Sequence, residues 1–381
     1  MPFGALAEAV DTLVGADPRD LADPGSIEEL HRQLSRLDAV VTAAMAAFDT
    51  SGAWAADGAR NAPAWLAARL RAPRAQMHRR VRLGSRLGDM PETAAAWRAG
   101  EVQAQHVEAL SAQVRPDTAK AFERDEAMLV GYARTLRFDH FARALAYWAQ
   151  LADPEGAEAD AARQRSRRDV YLRESLGGMW LGQVTLDPVS GGIVAAELER
   201  LEAAEFDEDR AEAAARLGRD PLPGELRRTP GQRRADALVE MATRSRGFPA
   251  DGRRPAPLFS VLVDFPTMRG RICELAQGTV VTPGSLVPWL EAADVERAVF
   301  TPGGRVEVGP AVRLFSGATR RAIELRDREC AHPCCDRPAH LCQVDHIVPW
   351  SEGGPTTQEN GRLLCPFHNR LRNTRPPPPL E

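Results

Sequence analysis

Between Cys330 and His368 this chain places five of its six cysteines and four of its eight histidines. The stretch reads Cys330-Ala-His332-Pro-Cys334-Cys335, then His340-Leu-Cys342-Gln-Val-Asp345-His346, then Cys365-Pro-Phe-His368-Asn369. A segment of about 50 residues has too little apolar material to fold on a core alone, so ligand binding must supply part of its folding energy. Cys330 and Cys335 flank a tight turn that contains Pro333, and Cys365 and His368 stand at i and i+3 where Pro366 opens a helix. Three thiolates and an imidazole make a closed tetrahedral site, which suits a structural Zn2+. The four residues between Cys330 and Cys335 are a looser spacing than the usual two. Cys334 could replace Cys335, and Cys342, His332 or His340 could enter the set.

Compartment supports metal over disulfides. The N-terminus, with Glu8 and Asp11 and no basic residue before Arg19, is not a secretory signal, and no apolar run reaches membrane-spanning length. A cytoplasmic protein with reduced thiols is expected, with no membrane partner. The net charge of -4 does not announce a polyanion binder, although local patches decide that question. Lys120 is the one lysine, so the basic residues are nearly all arginine, as a coding bias would produce.

Upstream of the cluster the chain is punctuated for two further regions. From Ser26, read as an N-cap, Leu30, Leu34, Leu37, Val41 and Met45 recur at helical spacing, and further helical runs follow to about Leu151. Residues 152–168 are charged and Ala-rich and read as a linker. Val170–Leu172 and Met179–Leu186 form a hairpin signal across Gly177-Gly178, and a helix follows Gly192. Residues 200–228 read as a loop or solvated helix, and another helix starts at Pro230. Leu258–Phe265 is a strand, a second hairpin is expected over Val299–Val308, and Cys273 is expected to be a small buried residue. The expected organisation is a multi-domain protein: a mainly helical domain over 1–151, an α+β domain over 152–310, a zinc-containing domain over 311–375 and a Pro-rich tail over 376–381.

Asp345, His346 and Asn369 are not needed by the zinc. An Asp and an Asn supply oxygen ligands for a hard cation such as Mg2+ or Mn2+, and a neutral His can take a proton from water. The alternative is a set of ordinary turn polars in a zinc-dependent DNA-binding module without catalysis. Trp350 reads as a residue packed under the zinc loop.

The segment Arg320–Arg372 resembles an HNH endonuclease domain, the ββα-metal fold with an embedded structural zinc. The resemblance is carried by Asp345-His346-Ile347-Val348-Pro349, Gly353-Gly354, Asn360 and Cys365-x-x-His368-Asn369. Residues upstream resemble, more weakly, a bacterial domain of unknown function often fused to such nucleases, through Arg233-Arg234-Ala235-Asp236-Ala237-Leu238 and Arg326–Cys330. The resemblance implies that His346 is a general base, that Asp345 and Asn369 hold one divalent metal, and that Asn360 orients His346 by fixing its loop. It implies cleavage of DNA phosphodiester bonds. Arg362, Arg370 and Arg372 flank the site and are candidates for gripping phosphates. Two residues depart from the family pattern. Gly361 stands where an apolar residue is usual, which is expected to loosen the second strand, and Cys334 stands where Gly is usual.

Overall fold

The computed structural model describes residues 2–247, 258–264, 273–275, 279–289, 294–300, 315 and 317–372. The chain divides into two compact units, residues 1–153 and 154–381.

The first unit is helical: α1 (Pro2–Val14), α2 (Pro24–Ser51), α3 (Ala62–Leu70), α4 (Arg74–Arg86), α5 (Pro91–Ala99), α6 (Ala104–Gln113), α7 (Ala119–Thr135) and α8 (Phe138–Ala152). Helix α2 starts earlier than the Ser26 cap expected of it. Asp23 caps it by accepting the Ser26 N–H at 3.0 Å, and Pro24, which has no amide hydrogen to leave unpaired, takes the first turn. The core is built from Trp97, Val107, Leu110, Phe122, Leu129 and Phe141, all essentially without solvent contact. The apolar stripe of α2 is not its buried face: Leu34, Leu37 and Val41 are exposed, and Ser35, Ala39, Thr42 and Ala46 are buried with Met45. Close helix approach selects these small residues. Gly84 of α4 lies so near α2 that a Cβ there would sit 2.5 Å from the Thr42 carbonyl oxygen.

The second unit opens with α9 (Pro154–Ser166), a helix in place of the expected linker. Its Glu158 carboxylate accepts the Thr282 hydroxyl at 2.8 Å and the Gly284 N–H at 2.9 Å. β1 (Asp169–Glu174) and β2 (Trp180–Thr185) form the expected antiparallel hairpin. α10 (Pro188–Leu217) begins before Gly192 because Asp187 caps it and Pro188 opens it, and it runs through much of the 200–228 segment. α11 (Pro230–Gly247) packs on α10, and the join is ionic. The Arg228 guanidinium meets Asp209, which is 2% exposed, at 2.8 Å, and also Asp236 at 2.9 Å and Glu205. Arg233 adds a second cation 3.7 Å from Asp209. β3 (Leu258–Asp264) pairs in parallel with β6 (Asp294–Phe300), and β4 (Cys273–Glu274) pairs antiparallel with β5 (Val280–Val281), ahead of the short α12 (Pro283–Leu286). Val299 therefore belongs to a strand paired with β3; residues 301–308 of the expected hairpin, and the Cys273 side chain, lie outside the described residues.

The end of the unit is α13 (Gly317–Asp327), β7 (Gln343–His346), β8 (Gly361–Leu364) and α14 (Pro366–Arg372), an antiparallel hairpin followed by a helix. Phe315, Ile323, Leu363 and Leu364 form its core with Cys330, Cys342 and Cys365. Gly361 does not loosen β8. It is buried and paired with His346, and its missing side chain is what lets α13 lie on the strand. A Cβ there would overlap Ile323 Cδ1 and come within 2.8 Å of Phe315 Cε1. Gly361→Ala is accordingly expected to destabilise this module by about 1–3 kcal/mol, as overpacking does. Denaturant unfolding followed at the C-terminal module checks this; an unchanged midpoint would refute it.

Candidate functional site

Two sites share the hairpin. The first gathers Cys330, Cys335, Cys365 and His368, whose ligand atoms all lie within 4.8 Å of one another. Cys330 follows α13 and Cys335 closes the turn, with the Cys335 N–H donating to the His332 carbonyl at 3.0 Å. β8 delivers Cys365, and the first turn of α14 swings His368 back over it. Nδ1 of His368 is 3.4 Å from the sulfurs of both Cys330 and Cys365, and Cys335 Sγ is 4.0 Å from Cys365 Sγ. Sulfur ligands at ordinary Zn–S length stand roughly 3.8 Å apart at the corners of a tetrahedron. The cluster has that size. Backbone amides already point at the sulfurs: Cys365 N–H to Cys330 Sγ at 3.3 Å, and His368 N–H to Cys365 Sγ at 3.5 Å.

The geometry also sorts the alternative ligands. Cys334 is exposed. Cys342 is buried apart from the four, with its thiol directed at the Arg337 carbonyl at 3.5 Å. His332 stacks face to face on His368, centroids 3.8 Å apart, and His340 pairs with Glu199 at 2.9 Å. Burial, reinforced by the neighbouring sulfurs, pushes the Cys335 thiol up to about 11 and the Cys342 thiol up to about 12. Burial and the adjacent His332 lower His368, which keeps its imidazole neutral and able to coordinate.

The second site lies on β7 and the loop it enters. Gln343 and Asp345 share one face by strand alternation. Asn369, on α14, reaches that face: its Nδ2 donates to Gln343 Oε1 at 2.6 Å. The register sets Arg362 directly opposite Asp345, and the two form an ion pair at 3.4 Å in which both side chains are largely buried. His346 ends the strand with its ring 4.5 Å from Phe315 and its Nε2 3.0 Å from the Thr356 hydroxyl. Asn360 closes the loop. Its Oδ1 accepts the Val348 N–H at 2.8 Å, and its Nδ2 donates to the carbonyls of Val348 at 3.1 Å and Pro355 at 2.8 Å. Its own carbonyl accepts the Ile347 N–H at 2.7 Å. One side-chain amide thus pins both ends of the turn that follows His346.

Arg370 is half exposed and 4.0 Å from Asp220; the side chain of Arg372 lies outside the described residues. Trp350 does not lie under the zinc loop. It is 40% exposed and stands edge-on to His346 at 6.0 Å. Residue types alone do not single out Thr356, Gln343 and Phe315 as neighbours of the site. The signal for two of them is positional: Gln343 is two residues before Asp345, and Thr356 follows the Gly353-Gly354-Pro355 turn.

Residues 25–327 match the family described as a domain of unknown function (DUF222), and residues 329–374 match HNH endonuclease. Among curated proteins the chain is similar to an uncharacterized Mycobacterium tuberculosis protein, MT1183 (27% identical, 73% of this chain, 64% of that protein). It is similar also to the uncharacterized protein Mb1179c of Mycobacterium bovis (27%, 73% and 64%) and to the uncharacterized Mycobacterium tuberculosis protein Rv1128c (27%, 80% and 73%). The chain thus spans 64% of the length of the first two relatives. No solved structure matches it. Among the described residues, no helix is long and apolar enough to cross a membrane.

The zinc geometry predicts about one equivalent of zinc in the purified protein, and loss of both the metal and C-terminal folding in Cys365→Ser. Cys334→Ser and Cys342→Ser should keep the metal, as measured by elemental analysis. Because the Cys335 thiol must release a proton to bind, zinc affinity should rise with pH; a competition titration showing a flat profile would contradict the thiolate assignment.

Proposed function

We propose that this chain, which belongs to the DUF222 family and ends in an HNH endonuclease domain, hydrolyses DNA phosphodiester bonds. His346 is the general base, and Asp345 and Asn369 are the ligands of one divalent cation, Mg2+ or Mn2+. The observation that carries this reading is the Asn360 clamp, which holds the backbone on the far side of His346 with three side-chain hydrogen bonds. That clamp sets the path of the loop that His346 enters, as a positioned general base requires.

The donor set fits a hard cation. The Asp345 carboxylate lies on the same strand face as the Gln343 amide, to which Asn369 is joined, so oxygen-bearing groups collect there. When bound, the cation stabilises charge on the phosphate and on the departing 3′ oxygen. The chain's own residues do the rest. His346, whose Nε2 lies 3.0 Å from the Thr356 hydroxyl, is the group that takes a proton from water. Asn360 fixes the direction in which that ring faces. Arg370 and Arg372, on the helix that also carries Asn369, hold phosphates beside the cut.

One observation favours a second reading, a zinc-dependent DNA-binding module without catalysis. Arg362 already neutralises Asp345. In the nuclease reading Arg362 has two partners to choose between. While it holds Asp345 it opposes the cation; when a DNA phosphate draws it off, the carboxylate is released. Substrate and cation then strengthen each other's binding, as linkage requires.

Plasmid nicking or linearisation in Mg2+ or Mn2+ is expected of the wild type, with loss on His346→Ala despite a full zinc content. An inert wild type that still binds DNA would favour the second reading. Separately, Arg362→Gln should tighten Mn2+ binding to the DNA-free protein by roughly tenfold, the scale of a partly buried ion pair. Asp345→Asn should remove that binding. Titration calorimetry distinguishes these outcomes, and equal Mn2+ affinity in Arg362→Gln and wild type would dismiss Arg362 as a competitor.

A further inference from the structure

Helix α4 reads Arg-Ala-Gln-Met-His-Arg-Arg-Val-Arg-Leu-Gly-Ser-Arg: five arginines and a histidine in 13 residues, with no acid. In a chain of net charge -4 this is a concentrated positive element. Coding bias accounts for arginine in place of lysine but not for the missing acids. Elsewhere arginines on helices are answered locally, as in Arg32–Glu29, Arg200–Glu197 and Arg244–Glu240. On α4 the fold uses two basic groups. Arg80 pairs with Asp38, and Arg86 donates to the Ser111 carbonyl at 2.7 Å. Among the described residues Arg74, Arg79 and Arg82 have no ion pair and no side-chain hydrogen bond, and all three are exposed, as is His78.

Their arrangement is fixed from behind. Met77, Val81 and Leu83 are buried, and Gly84 locks the helix against α2. Arg74, His78 and Arg82 then run along one line at i, i+4 and i+8, with Arg79 beside it. Arg79 and Arg82 form a ridge between two grooves. One, of about 570 Å³, is lined by Asp49, Asn61, His78 and Ser85 as well as the ridge; the other, of about 160 Å³, adds Arg86, Glu108 and Ser111. Like charges three and four apart, Arg79 with Arg82 and Arg82 with Arg86, destabilise a helix. A rigid row of unanswered guanidinium groups suits a repeating array of anions, because each planar fork takes two oxygens of one phosphate.

We propose that the exposed face of α4 is a sequence-independent docking surface for the phosphate backbone of DNA, which gives the domain of unknown function the task of holding the substrate. This rests on the reading of DNA as the substrate. It adds to the cations of the matched HNH segment, residues 329–374, whose four arginines include one, Arg362, that is paired with Asp345.

The test uses full-length, zinc-loaded protein carrying His346→Ala, without added divalent cation, and a short fluorescent DNA duplex titrated over a salt series. Replacing Arg74, Arg79 and Arg82 together by Gln should weaken binding and flatten the slope of log affinity against log salt by about 2 to 3, at roughly 0.9 for each phosphate that is no longer neutralised. The triple Lys variant should recover most of that slope. Thermal melting should be unchanged or raised, since repulsion is relieved; should the triple variant fail to fold, Arg82→Gln alone should still flatten the slope by about 0.9. An unchanged slope overturns the proposal. So does an unchanged DNA slope with abolished binding to phosphatidylserine vesicles, which would make the face a membrane-binding surface. Plasmid cleavage by the active protein separates the two readings: an α4-dependent salt slope without cleavage sinks the nuclease alone, and cleavage with an α4-independent slope sinks this proposal alone.

Discussion

The C-terminal module depends on four side chains meeting at one point. Cys330 comes from just past the end of α13, Cys335 from the turn, Cys365 from the end of β8 and His368 from α14. The hydrophobic material available to join these pieces is small, and three of its seven buried members are cysteines. Coordination of a metal by these four would do what a larger core otherwise does. It also sets the other site. Asn369 is the residue after His368, and its amide N–H bonds the Cys365 carbonyl at 2.8 Å, so the ligand that orients α14 also orients Asn369 toward β7. The proposed catalytic face inherits its geometry from a cluster that takes no part in the chemistry.

The rest of the chain is held differently. The helical unit closes over a conventional core around Trp97, Phe122 and Phe141. The α10–α11 pair relies on Arg228 and Arg233 set against Asp209, a carboxylate that would be costly to bury without them. That arrangement gives a physical meaning to the Arg233-Arg234-Ala235-Asp236 run. Arg233 faces inward to Asp209, Asp236 turns to Arg228, and Arg234 stays at the surface, 3.7 Å from Glu202.

Much of the site is legible in residue types and spacing: the Cys-x-x-His pair, the Asp345-His346 step and the closing Asn360. Orientation is not. Spacing does not say whether Cys334 or Cys335 turns inward, because adjacent residues of a tight turn point apart. The Asp345–Arg362 pair exists only through the register of β7 on β8, which no local pattern specifies. In the helical unit, hydrophobicity points to Leu34 and Leu37 as the packed face of α2, whereas close helix contact selects Ala39 and Thr42. The helix at 154–166 is hidden by a composition typical of solvated surface, and a carboxylate on it, Glu158, finds its partners more than a hundred residues away. Gly361 looks like a weakness in the sequence because the missing side chain is visible there and the neighbours that occupy its space are not.

Asn360 is followed by Gly361, and that pair has a chemical liability. In a slack chain the glycine, with no side chain to obstruct it, lets its amide nitrogen attack the asparagine side-chain carbonyl; ammonia leaves, and water then opens the resulting succinimide to aspartate or isoaspartate. Here the side-chain amide is engaged on both its oxygen and its nitrogen, and the Gly361 N–H is turned to the Gln358 carbonyl at 3.3 Å. The fold suppresses the reaction only while it persists, and a metal held by the neighbouring Cys330, Cys335, Cys365 and His368 would sustain it. A molecule left without metal in that cluster for long enough would be expected to age at Asn360, and the aspartate so formed, lacking the two N–H donors that reach Val348 and Pro355, would not revert when metal returned. Brief unfolding is forgiven, and prolonged unfolding is recorded in the covalent structure.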